Sequence, residues 1–405
     1  MAVTYYISVT LALFAGALPA QVLGVIWESI SDGMNVEIPY IALLRLLAAA
    51  GAVLAVILSD RIRGYILARD LIVGALALEA LSLIGFSLSR EFWNLAVWVT
   101  ALGFSGGMCV TLICYLLRWT WSKKTCLIFV CAPLGAVSGV YFVQYILSLG
   151  RSWRTACQGL AILQIVLCMS VFLLRRTLLR DVAAIIKRQR RERDIERQKR
   201  REELIRQKGE LDERYEEIWL IRLLFLYGAA IFCGLVLLCA IHLTYSAQVS
   251  GGTGGADLAW SVLCVCAGMA AGRVVIGCLK KNARKSCRIG LLITIGVLLA
   301  CSAAAWFAHT GAMLWLFVRV GTGFGAGMVF PNLIQMDDER FDEDLQTGMT
   351  GLIPAFYFGT DAMITPLVQS MSGTFSMAVC TGAMLILACL MGICLVFASA
   401  RLRKR

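Results

Sequence analysis

Four ionisable side chains stand deep inside stretches that are otherwise apolar: Arg45, Glu79, Arg319 and Asp361. A charge at the centre of a bilayer costs about 2.5 to 3.5 kcal/mol on insertion scales, so each must meet a partner or a water-filled cavity. Such groups can hold a solute of complementary polarity, and a carboxyl among them can take up and release a proton. Tyr357 lies one helical turn before Asp361, so the two share a helix face and can address a hydroxyl together. Gln144, Tyr227, Asn332 and Trp27 add amide and aromatic groups to the same expected lining. The 16 cysteines sit mostly in apolar runs without a Cys-x-x-Cys pair, and the two histidines, His242 and His309, are far apart. These read as small packing residues, with no metal site, disulfide framework or cofactor. No Gly-x-x-x-x-Gly-Lys-Ser/Thr sequence is present, which disfavours direct ATP use, and no cluster of nucleophile, base and metal ligands points to an enzyme.

The elements that must position these groups are membrane helices. The chain has 405 residues, 59% of them hydrophobic and 16% charged, with a mean hydropathy of +0.77. A soluble domain is about a quarter charged, and no single water-soluble core could hold this much apolar surface. A spanning helix needs about 20 apolar residues. Breaking the chain at charged and turn-rich clusters predicts spans near 6–27, 38–58, 70–88, 93–116, 125–148 and 155–174, then near 218–241, 257–279, 289–308, 311–333, 348–370 and 376–398. The first has no basic residue before it and reads as an uncleaved helix rather than a secretory leader. The predicted architecture is an all-α membrane protein of twelve transmembrane helices in two pseudo-symmetric six-helix bundles, 1–174 and 218–405, joined by a charged cytoplasmic linker, 175–217. Lys and Arg collect in alternate turns, the linker and the tail, whereas the other turns carry only Arg90, Arg151 and Arg154. By the positive-inside rule both termini are then cytoplasmic, and the chain is a multi-pass protein of the cytoplasmic membrane.

The linker is rich in helix formers with Glu and Arg three and four apart, and reads as a solvated charged helix. Its basic part, 175–201, is suited to anionic lipid headgroups. No recognisable module accompanies that basic run, so nucleic-acid binding is not expected. The string GTGFGAG in the tenth span, and the pairs Gly135 with Gly139 and Gly268 with Gly272, put bare patches on helix faces and predict close helix packing rather than nucleotide binding.

A weak internal repeat appears at the inner turns. GAVLAVILSDRIRG runs from Gly51 to Gly64, and GRVVIGCLKKNARK from Gly272 to Lys285. Here the chain resembles the major facilitator superfamily, whose second-to-third helix turn carries a Gly-x-x-x-Asp-Arg-x-Gly-Arg-Arg type motif. Asp60 and Arg61 match its acidic-basic core, Arg63 and Gly64 are displaced, Val56 stands where the first glycine is usual, and Lys281 replaces the aspartate in the second copy. The resemblance implies an inner gate of Asp60, Arg61, Arg63, Arg273 and Lys281, and a third span lying outside the cavity, which counts against Glu79. The tenth span and the segment after it, with Pro331, Glu339-Arg340-Phe341, Tyr357, Gly359 and Pro366, resemble the fucose-permease-like sugar-symporter branch. Where that branch carries acidic and amide residues in its fourth helix, this chain has Cys109, Thr111 and Cys114.

The function implied is secondary active transport of a small-molecule substrate by alternating access, by a monomer in the lipid bilayer, with proton-coupled uptake of a sugar-like solute as one form. Efflux of amphipathic compounds is the alternative within transport. A transport-inactive receptor or anchor is the alternative outside it.

Overall fold

The structure, a computed structural model, describes residues 2–36, 40–62, 65–119, 127–174, 224–236, 256–278, 283–307, 312–338 and 386–397. Among the described residues every regular element is a helix. They are α1 (Ala2–Ala17), α2 (Val22–Met34), α3 (Tyr40–Ile62), α4 (Ala68–Leu88), α5 (Phe92–Trp119), α6 (Cys131–Ser148) and α7 (Trp153–Leu174). Beyond these come α8 (Leu224–Val236), α9 (Ala256–Cys278), α10 (Ala283–Phe307), α11 (Ala312–Asp338) and α12 (Ile386–Phe397). The linker 175–217 and the span expected near 348–370, with Tyr357 and Asp361, lie outside the described residues, as do Arg63, Lys281 and both histidines.

Large apolar side chains point outward all around the bundle, among them Leu54 and Ile57 on α3, Ile162, Met169 and Leu173 on α7, Phe317 on α11 and Phe397 on α12. In water such a surface would aggregate; in a bilayer it faces its own solvent. The inward faces are held by close approach of backbones. A Cβ added at Gly103 of α5 would run into the Ala48 carbonyl of α3, and one at Gly107 would meet Ala52. The same construction recurs between α9 and α11, where Gly268 and Gly272 face the Val320 and Phe324 carbonyls while Gly323 and Gly327 face those of Val265 and Met269. Small residues four apart permit this approach, which is how helices gain contact where lipid offers no hydrophobic drive. The second and fourth spans of one half therefore pair as the eighth and tenth do in the other.

The first span, crossing over Tyr5–Trp27, is broken in the middle. Pro19 has no N–H to give the Ala15 carbonyl and would crowd it in a continuous helix. That carbonyl is taken by the Leu18 N–H at 3.0 Å instead, and Ala17 and Pro19 accept from Ala20 and Val22, each at 3.2 Å. These tighter bonds close the gap between α1 and α2. Non-helical backbone at membrane depth is tolerated where it is buried in protein or lines a cavity. Pro19, Ala20 and Gln21 line one.

Candidate functional site

That cavity has a volume of about 340 Å³ and lies between the two halves, with α1 to α7 on one side and α8, α9 and α11 on the other. Its walls are mostly small and apolar: Gly16, Ala20 and Gly24 of the broken span, Ala48, Ala49 and Ala52 of α3, and Gly103, Gly106 and Gly107 of α5. Phe86, Phe129 and Phe330 add aromatic surface. Into this lining project Arg45 from α3, Glu79 from α4, Arg273 from α9 and the amide of Gln21.

Glu79 is 1% exposed and accepts a 2.7 Å hydrogen bond at Oε2 from Nε2 of Gln164 on α7, itself 0% exposed. Among the described residues the Gln164 Oε1 has no hydrogen-bond partner. A carboxyl on the third span reaches the cavity beside Gly106 of α5, where an added Cβ would lie 3.8 Å from Glu79 Oε1, in ordinary contact. The resemblance implied a third span outside the cavity, and this pair of neighbouring helices departs from that expectation. Replacing Gln164 by leucine leaves the buried carboxyl without its donor and is expected to cost about 1 to 3 kcal/mol of stability. Thermal unfolding in nanodiscs measures it, and Glu79→Leu added to Gln164→Leu should recover most of the loss. A double variant as unstable as the sum of the two singles would contradict the pairing.

Arg45 is half-buried at the wall and has no carboxylate partner among the described residues. Arg273, expected near a span end as a gate, is 4% exposed and donates from a guanidinium nitrogen to the backbone carbonyl of Phe129, across the junction of the halves. The Phe129 ring meets Phe330 of α11 edge-on, with centroids 6.4 Å apart at 75°. The cavity is thus closed, at the end where α6 begins and α9 finishes, by an arginine and two phenylalanines from both halves.

Other expected site residues are not at the cavity wall. Arg319 is 7% exposed, inside the protein rather than against lipid. Asn332 is buried and its amide donates to the Met328 carbonyl at 2.6 Å, one turn back on α11 beside Pro331. Trp27 packs in a core cluster with Val140 and Trp153. Gln144 is half-buried on α6, and Tyr227 of α8 packs against the main core cluster. At the second-to-third turn Arg61 is exposed, the Asp60 side chain lies outside the described residues, and Arg69 pairs with Asp70 at 3.4 Å. Sequence reasoning does not single out Gln164, Gln21, Phe129 or Phe330. An amide in the apolar run 155–174 is a visible signal for Gln164; for the phenylalanines there is none.

Comparison with known proteins places this geometry in a family. A sequence model of the Major Facilitator Superfamily matches residues 6–363. No curated protein matches the chain in sequence. Among solved structures, the proton:xylose symporter XylE bound to 6-bromo-6-deoxy-D-glucose superposes with a TM-score of 0.72 at 12% identity, covering 96% of this chain and 94% of that one. The human organic anion transporter MFSD10 (TETRAN) does so with a TM-score of 0.65 at 15% identity, covering 97% and 98%. At such identities these likenesses speak to the fold, a helical bundle of two six-span halves, and the sequence match speaks to kinship. The chain belongs to the Major Facilitator Superfamily and is a multi-pass membrane transporter, not an enzyme.

Proposed function

We propose that the chain is a secondary active transporter that carries a small amphipathic solute across the cytoplasmic membrane by alternating access, with Glu79 as its proton carrier. The observation that carries this reading is the cavity between the halves, closed at one end by contacts that join them. In alternating access such contacts break as the halves, residues 1–174 and 218–405, rock about a midplane site. By the distribution of Lys and Arg the closed end is the cytoplasmic one, where the linker 175–217 tethers the halves and its basic part meets lipid headgroups.

A polar, sugar-like solute would need several hydroxyl-addressing groups at one wall. Gln144 and Asn332 do not line the cavity, which favours a solute with an apolar body and a polar or charged end. Glu79 suits proton uptake because Gln164 serves either state. Its amide N–H donates to the carboxylate, and its unused carbonyl can accept from the protonated acid. Among the described residues, Glu79 faces Gln164 of α7 through its hydrogen bond and shares the cavity with Arg45 on α3, Arg273 on α9 and Gln21.

The test is to lock the closed end. In a background without reactive cysteines, Phe129→Cys with Phe330→Cys, bridged by a short bifunctional methanethiosulfonate, should stop transport in proteoliposomes, and reduction should restore it. Undiminished transport by the bridged protein would rule out rocking at this seam.

A further inference from the structure

Glu79 is a buried carboxyl whose hydrogen bond comes from a neutral amide, and a carboxylate so placed needs its charge balanced by a proton or a cation. Beside it stand oxygens with nothing to accept from. The Gln164 Oε1 is one: it is buried and unpartnered among the described residues, and the 2.7 Å bond from the same amide keeps it next to the carboxyl. The break in the first span supplies another. A helical carbonyl at position 16 would accept from residue 20, or from residue 19 in a tighter turn, but the Ala20 N–H goes to Ala17 and Pro19 has none. The Gly16 carbonyl is left open at the cut end of α1, where the last carbonyls carry the negative end of the helix dipole. It lies near Glu79, since a Cβ built on Gly106 of α5 would be 3.8 Å from Glu79 Oε1 and 4.0 Å from the Gly16 oxygen. The thiols within electrostatic reach of Glu79 are engaged elsewhere: Cys109 of α5 donates to the Ala12 carbonyl at 3.7 Å, and Cys168 of α7 to that of Val73 at 3.6 Å.

We propose that this pocket, formed by α1, α4, α5 and α7, binds a small monovalent cation of sodium's size through Glu79 Oε1, the Gly16 carbonyl and Gln164 Oε1, in competition with the proton on Glu79. Carboxylate, amide and backbone carbonyl oxygens are the donors that hard cations take. One carboxylate balances one charge, and Arg45 and Arg273 on the same cavity add to the repulsion that a divalent ion would meet. Open carbonyls at the end of a discontinuous membrane helix suit the role, and water from the cavity completes the shell. The site deepens the reading of Glu79 as an ion carrier and rests on it for any part in transport; binding itself requires neither a solute nor a gradient.

The test is thermal unfolding of the full chain in phosphatidylcholine nanodiscs, titrated with sodium chloride against choline chloride at constant ionic strength. Sodium should raise the unfolding temperature saturably, and potassium should need at least about tenfold more to do so. Below the pH at which Glu79 gives up its proton, each unit of acidification should raise the half-saturating sodium about tenfold, because one ion displaces one proton. Glu79→Gln should remove the response. Gly106→Ala discriminates further: its methyl meets both oxygens at ordinary contact distances, so the unfolding temperature in choline should stay near the parent's. That methyl fills space the ion would use, so half-saturating sodium should rise at least about tenfold. The proposal is overturned if sodium and choline give the same unfolding temperature, if potassium serves as well as sodium, if Glu79→Gln still responds, or if Gly106→Ala responds as the parent does. The two readings fail separately. Uptake driven by a pH gradient in a protein indifferent to sodium would keep the proton carrier and discard the cation site, whereas the sodium pattern in a protein without uptake under either gradient would keep the site and discard transport.

Discussion

Changing Glu79 to glutamine is expected to abolish concentrative uptake while leaving a folded protein that still exchanges solute down its gradient. Glutamine has the shape of the protonated acid and keeps a hydrogen bond with Gln164, so the close fit on α7 survives. What it lacks is a group that ionises, so it cannot release a proton and take one up again. A one-unit pH gradient is worth about 1.4 kcal/mol per proton, or about tenfold accumulation at one proton per solute. Proteoliposomes given an imposed gradient should therefore concentrate solute about tenfold with the parent protein and not at all with the variant. Counterflow under equal pH should persist in both. Accumulation by the variant at the parent's level would remove Glu79 from the coupling step and turn attention to Asp361.

A larger effect, on folding rather than transport, is expected at Gly103. A leucine there has no place to go, since even its Cβ would strike the Ala48 carbonyl, and a helix backbone cannot move aside as a side chain can. Overpacking by a few methylenes ordinarily costs about 1 to 3 kcal/mol, and forcing α3 from α5 should cost more because the whole seam is lost. Gly323→Leu at the matching seam of the other half should do the same. Gly74→Leu is the control, because nothing lies within 4 Å of an added Cβ on that exposed face of α4. Folded yield after solubilisation should fall sharply for the first two and hold for the third. Equal yields would mean the seams are looser than described.

The helices were legible because hydrocarbon is a demanding solvent. Length and the absence of charge mark a crossing without any need for tertiary information, and the edges expected at 70, 88 and 174 fall within two residues of α4 and α7. Pro19 announces a missing N–H by its type, but the apolar run continues through it, so a reading by span length alone passes over the break. The small-residue seams were half legible. Gly268 with Gly272 announced a bare face, but which partner met it depended on how the helices are rotated.

Site residues were legible as types and not as places. A charge inside a span announces that it needs a destination, and Arg45 and Glu79 stand out for that reason. Whether the destination is the cavity depends on the neighbouring helix, as at Glu79, which reaches it beside Gly106 of α5. Asn332 carried the same polar signal and spends it on its own backbone. The Phe129–Phe330 contact joins residues about two hundred positions apart in two segments without charge at that point, so no local pattern could report it.

The glycines of α6 act as an anchor for half of the first span. Gly135 seats against the Phe14 carbonyl and Gly139 against that of Leu18, so the grip ends one residue before the proline. Below that point α1 is gripped backbone to backbone; above it α2 is seated by side chains, with Val22, Ile26 and Trp27 packed among Val140 of α6 and Trp153 of α7. The two arms of one span are thus fastened differently, the first riveted through its carbonyls and the second cushioned by side chains that can slide.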